Sequence, residues 1–188
     1  LASYASAELA RAVVALREVK EPAEIEEIER ACETAGKMHR LAMRMCRPGI
    51  TEREIAGAIE GVALQHGAGV SFPSIVTQHG ETLHNHDYDH VLQSGRLMLI
   101  DAGAETAMNY CSDFTRTFPV NGRFTGRQKD VYDIVLAAND RTFELAGPDT
   151  FYYRMHNEAS MVIAEGLKSL GLMRGNMQDA VGVGAQAL

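Results

Sequence analysis

One stretch constrains the fold more than any other: LMLIDAGAETAMNYCSDFTRTF, residues 97–118. Two apolar runs flank a short polar segment, which is the pattern of a β-hairpin. The spacing predicts arms over Leu97–Glu105 and Tyr110–Val120, joined by the turn TAMN. Each arm carries an aspartate among apolar neighbours: Asp101 follows Leu97 to Ile100, and Asp113 sits among Tyr110, Cys111, Phe114 and Phe118. Opposed residues in an antiparallel pair have a constant sum of residue numbers, so a hairpin centred on Ala107 sets Asp101 directly against Asp113. Side chains so opposed have Cβ atoms about 4.5–5.5 Å apart. Two carboxylates at ~5 Å repel by roughly 3 kcal/mol at an effective dielectric of about 20. Such a pair is kept when its members share a proton or when a cation lies between them. Hard carboxylate ligands favour Mn, Mg and similar ions, and a bridging carboxylate suits a dinuclear site. The competing expectation is a slipped register that turns one aspartate to water.

The rest of the chain reads as helices around this hairpin. Residues Ala5–Val19 predict a helix with Leu9, Val13 and Leu16 on one face. Pro22 suits a first helical turn, and Ile25, Ile28, Cys32, Ala35, Met38, Ala42 and Met45 follow at helical spacing until Pro48-Gly49. The methionines Met38, Met43 and Met45 read as core. Thr51 and Glu54 form a capping-box pattern, as do Thr125 and Gln128. VSFPSIVTQ predicts a further strand, and Gly147-Pro148 stops the helix begun after Thr125. YYRMHNEASMVIAEGLKSLGL predicts a last long helix with Gly171 as its C-terminal cap. Helices around hairpin-connected strands define an α+β fold.

The formal net charge of -7 makes neither nucleic acid nor an anionic membrane the expected partner. No apolar run spans a bilayer. Cys32, Cys46 and Cys111 are odd in number and widely spaced. They read as small buried hydrophobes in a reducing compartment, and the expected location is cytoplasmic. The chain begins at Leu1 and ends in the apolar run AVGVGAQAL, and both ends read as cut. The stretch QHGETLHNHDYDHVL holds His79, His84, His86 and His90. His84 and His86 on one face of a strand could chelate. Equally, the stretch is a polar loop, or one histidine serves as a hydrogen-bonding or proton-transfer residue beside the aspartates. His156 reads as a helix residue, and His39 and His66 carry no functional reading. No H-E-x-x-H, P-loop, G-x-S-x-G or C-x-x-C pattern is present.

The blocks IDAG…SDFTRTFPV, SFPSIVTQHGETLHN and CRPGITEREI resemble the Xaa-Pro aminopeptidases. These belong to the pita-bread metallopeptidase family that also holds prolidase and methionine aminopeptidase. The resemblance implies a curved, mainly antiparallel sheet with helices on its outer face. Residues 1–188 would form the N-terminal portion of the catalytic domain, with an upstream domain and a C-terminal metal-binding half absent. It implies that Asp101 binds one metal ion and Asp113 bridges two, and that His84 contacts substrate and steadies the reaction intermediate. The cofactors implied are two divalent ions, Mn first and Co or Zn as alternatives, which activate a water against an Xaa-Pro bond. A histidine from an HGLGH-like segment and two later glutamates complete the family site and are not found here, so the isolated chain is expected to be inactive and to hold little or no metal. The expected partners are a proline-containing peptide and, as an arrangement open to the family, a second copy in a homodimer. The rival functions are an Xaa-Pro dipeptidase and a non-catalytic protein-binding module on the same fold.

Overall fold

The computed structural model describes residues 6–184. It divides into two compact units, Leu1–Arg123 and Phe124–Leu188.

The first unit opens with α1 (Ala7–Glu18), whose N-terminus is capped by the Ser6 hydroxyl accepting from the Leu9 amide. The expected apolar face of α1 buries nothing, and Leu9, Val13 and Leu16 are exposed. Ala5, predicted to start this helix, lies outside the described residues. Helix α2 (Pro22–Met45) starts on Pro22, with the Glu24 carboxylate accepting from the Glu21 amide. It buries Ala31, Thr34, Ala35, Met38, His39 and Ala42, a stripe at three- and four-residue spacing. Of the three methionines read as core, Met38 is fully buried while Met43 is exposed. Helix α3 (Glu52–His66) has the expected capping box between Thr51 and Glu54 and buries Glu52, Ile55, Ala56, Ile59 and Ala63.

Among the described residues, five strands complete this unit: β1 (Gly69–Val70), β2 (Ile75–Thr77), β3 (Leu97–Ala102), β4 (Ala104–Glu105) and β5 (Phe114–Pro119). All pairings are antiparallel, in a three-stranded sheet of order β2-β3-β5 and a two-stranded β1-β4 pair. On β3, Met98, Ile100 and Ala102 enter the core with α2 and α3, while Leu97, Leu99 and Asp101 are half-buried on the opposite face. The alternation of a strand thus answers how an aspartate survives among aliphatic residues: it takes the face that the core does not use.

The register differs from the expected one. Leu97 pairs with Pro119 and Ala102 with Phe114, which centres the hairpin on Met108 rather than Ala107. Asp101 therefore lies opposite Thr115, and Asp113 is its diagonal neighbour. The cause is in the turn, where Asn109 adopts a left-handed conformation (φ 63°) and the Thr106 amide bonds the Tyr110 carbonyl at 2.9 Å. Moving the centre by one residue moves the register by two, so both aspartates keep a common face. The cysteines are unpaired, and Cys111 is exposed rather than buried.

The second unit contains α4 (Gly126–Leu145), α5 (Tyr152–Ser169) and α6 (Met177–Gly182). Thr125 and Gln128 form the expected capping box, and Gly171 ends α5 with φ 73°. Helices α4 and α5 meet at Gly166, where a Cβ would come within 2.6 Å of Ile134. Helix α6 was not expected; the Asn176 side chain caps it by accepting from the Gln178 amide at 2.8 Å. The last residues of the run AVGVGAQAL, 185–188, lie outside the described residues. Among the described residues no helix is long and apolar enough to cross a membrane.

Candidate metal centre

Asp101 stands near the end of β3 and Asp113 just before β5, so two adjacent antiparallel segments deliver the carboxylates. Between them in sequence, Gly103 allows an approach that no other residue could. A Cβ there would lie 1.8 Å from the Ser112 carbonyl oxygen and 2.4 Å from the Ser71 hydroxyl. The buried Ser112 hydroxyl donates to the Ala31 carbonyl at 2.9 Å and accepts from the Ala104 amide at 3.1 Å. Helix α2 is thereby tied to the segment that carries Asp113.

The two carboxylates are near enough to act on each other. The Asp113 carboxyl is held above its ordinary range by loss of hydration, by the Asp101 charge, and by a hydrogen bond from its protonated form to Asp101. Oδ1 of Asp101 is buried and has no hydrogen-bond partner. An unpaired acceptor beside a second carboxylate is a costly arrangement without a positive charge. In donor chemistry, with one buried oxygen unpartnered, the pair suits a hard divalent cation. Among the described residues, however, no group of three or more histidine, cysteine, aspartate or glutamate side chains is set to hold an ion.

The histidine stretch is a clipped loop, not the strand that could have made His84 and His86 a chelate. His84 is exposed in a turn with φ 51°. His86 Nδ1 lies 3.3 Å from the Ser74 carbonyl oxygen, and His79 Nδ1 lies 2.9 Å from Glu81 Oε1. The structure brings Asp101 and Asp113 together, and among the described residues His84 joins no group of three or more candidate metal-binding side chains.

Two residues that sequence reasoning passed over organise this region. Glu52, the first residue of α3, is fully buried. Its carboxylate accepts from the Gln78 amide (2.8 Å), the Thr77 hydroxyl (3.2 Å), the His90 amide (3.2 Å) and His90 Nδ1 (2.9 Å). The Gln78 side chain adds a bond to the Val91 carbonyl at 2.9 Å and one from the Gln93 amide at 3.0 Å. One carboxylate and one amide therefore hold both ends of the loop that carries His84. His39 is the second residue. It is 5% exposed on the inner stripe of α2, and its Nε2 lies 3.2 Å from the Ala102 carbonyl oxygen. A histidine at helical spacing with Ala35, Met38 and Ala42 was the available signal.

The chain matches the model of metallopeptidase family M24 over residues 26–185. It is 36% identical over 171 residues to the Xaa-Pro aminopeptidase of Escherichia coli, a match covering 88% of this chain and 38% of the relative. A substrate complex of an Escherichia coli aminopeptidase P variant superposes with a TM-score of 0.84 at 37% identity, over 88% of this chain and 38% of that one. The zinc-substituted enzyme with product gives a TM-score of 0.83 at the same identity and coverage. The chain thus spans well under half the length of these relatives. Its α+β architecture is that of the pita-bread fold in partial form. From the sequence match and the superposition alike, the chain belongs to metallopeptidase family M24.

Proposed function

We propose that this chain is the N-terminal portion of the catalytic domain of an aminopeptidase that releases an N-terminal residue from a following proline. The observation that carries the reading is the carboxylate pair: Asp101 with a buried, unpartnered Oδ1, and Asp113 held high beside it. Its similarity to Xaa-Pro aminopeptidases supplies the substrate class.

Asp101 and Asp113 would hold two divalent ions, manganese first, with Asp113 shared between them. When bound, such ions polarise a carbonyl and make water a nucleophile near neutral pH. The chain's own residues do the placing. The hairpin sets the carboxylate separation, and Gly103 lets the two segments close. His84, at an exposed turn of a loop fixed at both ends, would donate a hydrogen bond to the oxygen of the scissile carbonyl as negative charge develops there. With only two ligands in this set, the 188-residue chain by itself would not hold the ions firmly and would be inactive. The net charge of -7 and the three unpaired cysteines accord with a cytoplasmic protein that acts on peptides rather than on nucleic acid or membranes. A homodimer is compatible with this reading.

The test is Asp113→Asn in the complete protein, assayed for divalent-ion content and for hydrolysis of an Xaa-Pro tripeptide beside an Xaa-Pro dipeptide. Loss of both ion content and turnover is expected, with the wild type preferring the tripeptide. Unchanged turnover in the variant refutes the ligand role; preference for the dipeptide makes the protein a dipeptidase.

A further inference from the structure

We propose that His39 is a positioning residue for the aspartate pair, acting from the far side of the sheet through the Ala102↔Phe114 rung. The inference rests on the reading of Asp101 and Asp113 as metal ligands.

The rung is the last of the β3–β5 ladder, and it directly follows Asp101 on one strand and Asp113 on the other. His39 reaches it from α2. Its Nε2 lies 3.2 Å from the Ala102 carbonyl oxygen, and its ring centre lies 6.3 Å from that of Phe114 at an interplanar angle of 57°. One side chain thus touches both strands at the level where the carboxylates are set. Because a carbonyl only accepts, Nε2 must carry the proton. Nδ1 is then left as an acceptor; it is buried and makes no hydrogen bond, although the Phe114 backbone is near enough to act on the ring.

That leftover acceptor argues against a purely space-filling role. A buried polar atom without a partner costs about 1–3 kcal/mol. Leucine or methionine would fill this position on the Ala35–Met38–Ala42 stripe at no such cost. What an aliphatic residue cannot do is fix the Ala102 carbonyl. Ala102 faces the core and Asp101 the opposite face, so the ring holds the backbone on which Asp101 is mounted without approaching the ions. Ligand distances must be kept to about ±0.2 Å, while one residue of strand slippage is about 3.3 Å. A contact that restrains this rung is therefore felt at the ligands. Residues that orient ligands in this indirect way change metal affinity by about 10–100-fold when removed.

The experiment uses the complete protein, stripped by chelator and titrated with Mn2+ by calorimetry. The wild type is compared with His39→Leu, which removes the donor, and His39→Gln, whose amide can still donate to Ala102. Melting curves verify folding. His39→Leu should bind Mn2+ about 10–100-fold more weakly and His39→Gln within about threefold of the wild type, with peptide hydrolysis lost in kcat rather than KM. A folded His39→Leu protein with wild-type Mn2+ affinity overturns the proposal. If His39→Leu does not fold, His39→Asn, too short to reach Ala102, takes its place against His39→Gln, and equal affinities of the two overturn it. A wild-type protein that takes up no Mn2+ defeats the ligand reading and this inference together, whereas uptake unaffected by His39 defeats this inference alone.

Discussion

The sharpest structural prediction concerns Glu52. Replacing it with glutamine keeps the size and removes the charge. One oxygen still accepts from the Gln78 amide and the Thr77 hydroxyl, but an NH2 group now faces the His90 amide and His90 Nδ1. The His90 side chain is 43% exposed and can turn its ring to water, so that donor recovers a partner. The His90 amide does not, and an orphaned donor costs about 1–3 kcal/mol. Loss of a negative charge in the first turn of α3 adds about 0.3–1 kcal/mol, more where it is buried. The expected loss is therefore about 3 kcal/mol, read as the shift of the urea midpoint multiplied by the denaturant slope. Amide exchange over residues 79–90 should quicken, because this carboxylate holds both ends of the loop. A loss below about 1 kcal/mol, or a loop whose exchange is unchanged, would refute the reasoning that one buried acceptor carries the region.

Two further outcomes are expected. Gly103→Ala places a methyl group 1.8 Å from the Ser112 carbonyl oxygen, a backbone atom that cannot give way; destabilisation of about 3 kcal/mol with loss of metal uptake should follow, and a variant that melts like the wild type would contradict the close approach. The second concerns acid. His39 is held below its ordinary pKa of 6.5, first by burial and then by the Arg116 charge, against the opposing pull of the Ala102 and Phe114 backbone and of Asp101. Above 6.5 both folded and unfolded chains carry a neutral ring and stability is full. As pH falls through that value, the unfolded chain takes up a proton that the folded one refuses, so stability drops until the lower folded pKa is passed. His39→Gln should flatten this part of the curve, measured as urea midpoints across pH 5 to about 7.5; identical slopes for the two proteins would show that His39 does not titrate in this way.

Much of this architecture was legible in local chemistry. The Thr51/Glu54 and Thr125/Gln128 boxes fix where α3 and α4 begin, because each pattern satisfies its own end groups. Gly171 ends α5 because the left-handed conformation there suits glycine. The hairpin was legible as a hairpin, but its register was not. That depended on whether Asn109 would take a left-handed conformation, a local choice worth one residue at the turn and two along the strands. Glu52 was hidden for a different reason. A glutamate after an N-cap threonine looks like an ordinary first-turn acid, and nothing nearby shows that Gln78 and His90 converge on it. His39 shows the same limit, since its partner Ala102 lies 63 positions further along the chain. Helix α6 escaped notice because six residues are too few to display a period.

The double clip on the His84 loop also bears on how such a protein can change. With Gln78 and His90 anchored to one carboxylate, the entrance and exit of the loop are set by α3 and β2, not by what lies between. Lengthening a closed loop costs little, about 0.6 kcal/mol for each doubling. The segment is in effect a replaceable insert in a fixed socket: its interior can be rewritten while the two ends that Glu52 and Gln78 anchor stay where they are.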